Sequence, residues 1–435
     1  MNQHWESLST EGGKEALLKK IIDQTNEVKK WKSQGKSELE IEKLISEKKQ
    51  RMYWTLDSGN QLKLQSLKDS IANAINRLHT GLLTINSKTG RIMGYVGGID
   101  YGMSQKDNIL EAKQVGSTFK PITYLAALQN GKNPCDFYDN SLVTYSKYEN
   151  WMPRNSNGKY GGSYSMYGAL ANSVNTVSVK IQLETGIQPV KKLAEKMGIT
   201  ATLPSVPSLV LGTGNISLID MVTAYASISN GGRRIQPFAI ERIEDDKGTV
   251  LYQAKPFYNG NFVASSIKIS HLQKMMGSVL TEGTASRIQN YEIPYNLIGK
   301  TGTTQNNGDG WFIACSPEIV VGSWVGTYDK RVQFKNTYLG SGANTALPMV
   351  ASVFKSMSLW NRPLLTNFVY EEDYFDCPPF LEMNANEADN FIKTDSTYLL
   401  KRKLRDSILN NSQIIIDSIV DISNKNIPID SISKQ

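Results

Sequence analysis

The sequence predicts an α/β fold of the α+β type, built on a sheet of about five strands flanked by helices. Three observations carry this. A hairpin of two strand-like runs, residues 82–86 and 91–96 around Ser87-Lys88-Thr89-Gly90, comes early. Three more strand candidates, 296–300, 310–315 and 319–325, come late. The stretches between them read mostly as helices. A sheet begun early and completed late wraps those helices into one mixed domain.

The bulk numbers agree with this. At 435 residues the chain is longer than one typical domain, and two or three are expected. Hydrophobic residues make up 40% and charged residues 20%, enough for a sizeable core. The net charge of +7 is dispersed, with no basic block beyond Lys401-Arg402-Lys403 and no nucleic-acid motif. A mild positive excess suits an anionic surface, carboxylate-bearing substrates, or simply a basic soluble protein. Three cysteines allow at most one disulfide, and their spacing does not suit a metal. Three distant histidines disfavour a histidine triad or a zinc site, and no cofactor is expected. No run of about 18 apolar residues and no signal-peptide core occurs. The chain as written is therefore expected to be soluble, either cytoplasmic or lacking a membrane or export segment.

In chain order, residues 14–52 read as charged helices, with a capping box at Ser37-Glu38-Leu39-Glu40. Residues 60–80 read as another helix, from the spacing of Leu62, Leu64, Leu67, Ile71, Ala74, Ile75 and Leu78. After the early hairpin, Ile122-Thr123-Tyr124-Leu125-Ala126-Ala127-Leu128 reads as a buried helix. Residues 135–164 are a polar Tyr/Asn/Gly-rich loop region. Helices are expected at 167–183, 190–197, 218–229, 268–280 and 347–357, and a small hairpin at 238–244 and 250–252. The last 71 positions are rich in Asn, Asp, Ser and Lys, with one apolar patch at 414–416. They read as a helical or partly disordered tail. The expected division is 1–80 connector, 81–360 main domain and 361–435 tail.

The stretch that organises the chain is Gly116-Ser117-Thr118-Phe119-Lys120-Pro121. Proline is tolerated only in a helix's first turn, so Pro121 places Ser117 at or near the helix start. Residues i and i+3 on a helix are neighbours, which brings Lys120 within reach of the Ser117 oxygen. Free N–H groups at the helix start favour negative charge there. A nucleophile, a base and part of an oxyanion site thus share four residues. The spacing alone carries little weight: Ser-x-x-Lys also begins at Ser33, Ser46, Ser156, Ser265, Ser352 and Ser431.

Two further patterns follow in order. Ser173-Val174-Asn175 sets a hydroxyl beside a carboxamide, able to pass a proton and bind a substrate amide, or simply to cap a helix. Lys300-Thr301-Gly302-Thr303-Thr304 sets a cation beside hydroxyls on a strand, suited to a carboxylate, with glycine letting a substrate backbone come close. Lys-Thr-Gly also occurs at Lys88, where it is a hairpin turn without assigned chemistry.

Ser-x-x-Lys, Ser-x-Asn and Lys-Thr-Gly occur together in penicillin-binding proteins and serine β-lactamases. Longer stretches resemble the transpeptidase domain of class A, bifunctional penicillin-binding proteins: residues 115–121 with Tyr124-Leu125-Ala126-Ala127, residues 169–177, and residues 299–304. Asp309-Gly310-Trp311-Phe312, Trp151-Met152-Pro153-Arg154-Asn155, Ala224-Tyr225-Ala226 and Asn230-Gly231-Gly232 fit the same family. The resemblance runs from about residue 81 to 357. Asn172 and Val174 depart from it, standing where the family often has basic residues. The family's membrane anchor and glycosyltransferase domain are not found. Residues 1–80 read as the connector that would follow them, so a membrane tie is expected only through a missing N-terminal anchor.

The resemblance implies a central antiparallel sheet with an all-helical subdomain, and a peptidoglycan D,D-transpeptidase. Ser117 would attack the carbonyl between two terminal D-alanines of a stem peptide on lipid II-derived strands. An acyl-enzyme would form and a neighbouring stem's amine would resolve it. β-Lactams would acylate the same serine, and the parent would sit on the outer, periplasmic face of the bacterial inner membrane. Lys120 would be the base. A free lysine is neutral only about once in 2,500 at pH 7, so its pKa must fall by roughly 3 units. Burial and a second cation, Lys300, push that way. The implied roles are proton relay for Ser173, substrate amide and Lys120 orientation for Asn175, and carboxylate binding for Thr301 and Thr303 with Lys300. The N–H groups of Ser117 and Thr303 would form the oxyanion hole. Alternatives are a D,D-carboxypeptidase, a β-lactamase, a non-enzymatic β-lactam sensor and an inactive scaffold. Against the β-lactamase, Glu184 is followed by Thr185-Gly186-Ile187-Gln188 and so misses the Glu-x-x-x-Asn pattern of the class A enzymes.

Overall fold

The computed structural model describes residues 8–10, 13–55, 59–102, 104–255, 262–359, 366–368, 375 and 377–395. The basic triplet at 401–403 and the apolar patch at 414–416 lie outside these residues.

The N-terminal part opens with strand β1 (Leu8–Thr10) and helices α1 (Lys14–Asp23), α2 (Asn26–Ser33) and α3 (Glu38–Ser46). The expected capping box holds: Ser37 and Glu40 bond reciprocally at the start of α3. Two expectations fail here. Residues 49–52 are not helical, and residues 60–65 are not the start of a helix. Strands β2 (Lys49–Thr55) and β3 (Gly59–Gln65) pair as an antiparallel hairpin, and helix α4 (Leu67–Ile75) follows. Gln61, Leu62, Lys63, Leu64 and Gln65 alternate with period two, which suits a strand. A capping box between Ser66 and Asp69 marks the true helix start. This module has its own small core of Leu18, Ile22, Val28, Ile41 and Leu67.

The main sheet begins with β4 (His79–Asn86) and β5 (Ile92–Val96), the expected early hairpin. Helix α5 (Lys120–Gln129) follows; each of its residues from Lys120 to Leu128 is buried. A helix buried on every side belongs at the centre of a domain. The loop region after it holds two short strands, β6 (Phe137–Asp139) and β7 (Ser163–Ser165). Residues 167–183, expected as one helix, form two: α6 (Met166–Ala171) and α7 (Asn175–Thr185). Helices α8 (Ile187–Lys196) and α9 (Leu218–Ser229), an exposed hairpin β8 (Arg242–Glu244) and β9 (Val250–Gln253), and α10 (Ser266–Thr281) come next.

The late strands are β10 (Ile298–Thr303), β11 (Asp309–Cys315) and β12 (Ile319–Gly326). The sheet order is β10-β11-β12-β4-β5, antiparallel throughout, so β12 closes onto β4 with Ile319 opposite Asn86 and Gly326 opposite His79. All eight residues of β12 are buried. That demands cover on both faces of the sheet. On one face Gly322 lets α9 approach, since a Cβ there would stand 2.4 Å from Val222 Cγ2. Strand β13 (Val332–Phe334) pairs with β1 and ties the N-terminal module to the domain. Helix α11 (Leu347–Leu359) packs back against the sheet, and Thr80 Oγ1 reaches Met349 Sδ at 3.6 Å.

The segment expected as a C-terminal tail is anchored where it is described. Cys377 forms a disulfide with Cys135, β14 (Phe380–Leu381) extends the β6–β7 pair, and α12 (Ala385–Thr394) bonds to β6 through Asp139 and Asp389. The disulfide joins positions 242 apart, which sequence spacing could not reveal.

Candidate active site

The turn carrying Ser117 is a 3-10 helix, Gly116–Phe119, that runs straight into α5 with Pro121 in its first turn. Side chains at i and i+3 eclipse in such a turn. The turn is clamped from three sides. Gly116 N–H donates to Gly212 O at 3.2 Å, Tyr225 Oη donates to Thr118 O at 2.7 Å, and Trp311 Nε1 donates to Gln114 O at 2.9 Å. The approaches depend on missing side chains. A Cβ on Gly116, whose φ is +56°, would stand 2.8 Å from Thr303 O; one on Gly302 would stand 2.6 Å from Val115 O. Gly302, expected to admit a substrate backbone, also lacks the side chain that would keep β10 off the Ser117 turn.

Lys120 is fully buried beneath this turn. Its Nζ donates to Ser173 O at 2.7 Å, Asn175 Oδ1 at 2.8 Å and Ser173 Oγ at 3.2 Å. Ser117 Oγ, the expected partner, is not among these acceptors. Catalytic hydrogen bonds in a free enzyme are often long and tighten only with substrate. Three acceptors favour the ammonium form, but burial is the larger effect. Burial first, and then the charge of Lys300, push the Lys120 pKa well below an ordinary lysine value.

The break between α6 and α7 serves this lysine. Ser173 adopts φ +55°, a left-handed conformation unusual for a residue with a side chain. That kink turns both its carbonyl and its hydroxyl to Lys120 Nζ. Strained backbone of this kind persists where surrounding bonds over-determine it. Here Asn155 Oδ1 accepts from Asn175 N–H at 2.9 Å and Thr176 N–H at 3.1 Å, and Asn175 Nδ2 donates to Arg154 O at 2.9 Å. Asn155 is itself held by Asn140 Oδ1 at 2.7 Å. Asn140 and Asn155 were given no role from sequence, although Asn155 ends the stretch Trp151-Met152-Pro153-Arg154-Asn155 that resembles the family.

Strand β10 forms the facing wall. Alternation along a strand sends Lys300 to one face and Thr301 and Thr303 nearer the other. Lys300 is fully buried and donates to Thr301 O at 3.2 Å; burial brings its pKa down to about 7. It lies behind the wall, whereas Thr301 and Thr303 open onto the cavity. Thr301 Oγ1 shares a 2.8 Å hydrogen bond with Thr284 Oγ1, a residue with no sequence signal. Thr303 Oγ1 accepts from Gly342 N–H at 3.2 Å. Thr304 Oγ1 accepts from Asp309 N–H at 3.0 Å and holds the turn into β11.

Between the walls lies a cavity of about 580 Å³, onto which Ser117, Ser173, Asn175, Thr301, Thr303 and Thr304 open. Lys120 and Lys300 lie beneath it. A serine hydroxyl above a buried lysine of lowered pKa, a second hydroxyl and a threonine-lined wall together suit serine acyl transfer.

The comparisons with known proteins agree. Residues 80–329 match the penicillin binding protein transpeptidase domain. Penicillin-binding protein 1A of Aquifex aeolicus is 33% identical over 322 residues, covering 73% of this chain and 42% of that protein. Penicillin-binding protein 2D of Bacillus subtilis is 34% identical over 291 residues, covering 64% and 41%. The chain thus spans about two fifths of the length of these relatives. In fold it resembles penicillin-binding protein 1A from Haemophilus influenzae, with a TM-score of 0.62 at 22% identity over 74% of this chain and 52% of that one. It also resembles the Mycobacterium tuberculosis PonA1 protein solved with penicillin V, with a TM-score of 0.58 at 18% identity over 82% and 96%. The chain belongs to the penicillin-binding protein transpeptidase family.

Proposed function

We propose that this domain cross-links peptidoglycan stem peptides as a D,D-transpeptidase. The observation that carries the reading is Lys120, fully buried, with Ser173 and Asn175 on its Nζ and a second buried cation near it. Neutral Lys120 takes the Ser117 proton as Oγ bonds to the carbonyl carbon between the terminal D-alanines. The tetrahedral oxyanion rests on the N–H groups of Ser117 and Thr303. Ser173 passes the proton to the leaving nitrogen, the C–N bond breaks, and D-alanine departs. A second stem's amine then attacks the ester, its proton returns to Ser117 Oγ through the same relay, and the cross-link forms. β-Lactams stop at the first half of this cycle.

The hydrolytic rivals differ in needing a water activated at the ester. Glu184 is not placed for that: it pairs with Lys132 and accepts from Tyr138 Oη at 3.4 Å, on a separate cavity also lined by Asp136 and Lys180. The Cys135–Cys377 disulfide supports an oxidising location such as the outer face of the inner membrane. Among the described residues no helix is long and apolar enough to cross a membrane. The family match starting at residue 80 supports reading residues 1–80 as a connector.

Intact-protein mass spectrometry with benzylpenicillin tests the reading. Wild type should gain one penicillin mass and hold it for hours, and Ser117→Ala should gain none. Rapid loss of the adduct with sustained nitrocefin turnover would instead identify a β-lactamase.

A further inference from the structure

We propose that Arg154 binds a carboxylate on the incoming stem, one borne by the same carbon as the attacking amine. This would select stems whose diamino acid ends in an amino-carboxylate over those ending in an isolated lysine-type amine. The inference rests on the transpeptidase reading above.

Arg154 is the only charged side chain among the described residues lining the 580 Å³ cavity. It is exposed, and its guanidinium has no hydrogen bond or ion pair with any described residue. A guanidinium presents a planar fork of donors that fits a carboxylate with two parallel bonds. The fork is carried on a fixed base: Arg154 O accepts from Asn175 Nδ2 at 2.9 Å, and its neighbour Asn155 accepts from Asn175 N–H at 2.9 Å. The side chain therefore starts from the segment bonded to Asn175, beside Ser173, and shares the cavity with Thr301 and Thr303.

That placement assigns the carboxylate. The terminal carboxylate of the donor stem belongs with the Thr301–Thr303 wall. The incoming amine must give its proton to the relay that served the leaving amine, so it approaches by Ser173. A cation beside that approach is complementary to a negative group close to the amine nitrogen. It has nothing to hold on an alkyl amine, and it repels one that is protonated.

The test uses the purified chain, an N-acyl-D-alanyl thioester as donor, and two acceptors, D-alanine and D-alaninamide. These acceptors differ in the carboxylate beside the amine. Amide product and hydrolysis product are separated by chromatography, giving an aminolysis-to-hydrolysis ratio for each acceptor. The quotient of the two ratios is compared between wild type and Arg154→Gln, so that the acceptors' own reactivity cancels. A drop of about threefold to fivefold in the variant is expected for an exposed charge-assisted contact. Arg154→Lys should fall between, because it keeps the charge and loses the fork. In wild type the preference for D-alanine should shrink as salt is raised. An unchanged quotient in both variants, with aminolysis intact, overturns the assignment, as does a salt-independent preference. If wild type forms no acyl-enzyme from the thioester, the transpeptidase reading itself fails and Arg154 loses its role with it.

Discussion

The chain contains the tripeptide Lys-Thr-Gly twice, and the two copies share nothing but their letters. Lys88-Thr89-Gly90 turns between β4 and β5. Lys88 is exposed and pairs with Glu318 at 3.1 Å, and Thr89 bonds to Asn86 Oδ1 at 3.0 Å. Lys300-Thr301-Gly302 lies inside β10, with the lysine fully buried and its pKa brought down to about 7. Even the glycines differ. Gly90 has φ +85° and faces Gln236 O, whereas Gly302 is bare to admit the Ser117 turn. Surroundings set the chemistry: the same amine is a solvated ion-pair partner at one site and a desolvated group of lowered pKa at the other.

The sharpest way to break this contrast is at the two lysines. Lys300→Met should slow penicillin acylation by about 10²–10⁴-fold, the range of a lost electrostatic or proton-transfer group. Removing the Lys300 charge also raises the pKa of Lys120, so the acidic limb of the acylation–pH profile should move to higher pH. Stopped-flow acylation across pH checks both; an unmoved limb refutes the coupling. The same variant should be more stable at pH 7, by about 1–4 kcal/mol, since it removes a buried cation. With a folded pKa near 7 against 10.5, the unfolded chain binds more protons between those values, so wild-type stability falls as pH drops from 10.5 to 7. Thermal melts of the two proteins should diverge across that window.

The glycines come next. Gly302→Ala forces Val115 or Thr118 to move and displaces Ser117, and should cost about 10²-fold in acylation as well as stability. Gly90→Ala should destabilise by about 1–3 kcal/mol, from its left-handed φ and the Gln236 carbonyl, and leave the acylation rate of the folded protein unchanged. The smallest effect belongs to Lys88→Ala, about 0–1 kcal/mol in a denaturant melt, as for an exposed ion pair. A larger acylation defect in Lys88→Ala than in Lys300→Met would invert the contrast.

The sequence alone determined the local elements and the order of the motifs. Pro121 marked the helix start, the Ser37–Glu40 pair marked a cap, and apolar runs marked β4, β5 and β10 to β12, because these signals act within a few residues. Local reasoning failed where two periodicities competed, in β3, whose leucines fit a helix as well as a strand until their pairing with β2 decided. It also failed at Ser173, since nothing local calls for a left-handed serine inside a helical pattern. Only tertiary structure decided the site's chemistry. The burial of Lys120 and Lys300, the asparagine network behind Asn175, the Cys135–Cys377 bridge and the bare approach of Gly302 all join residues distant in sequence. A lysine's pKa and a glycine's necessity depend on what surrounds them, and those neighbours arrive from elsewhere in the chain.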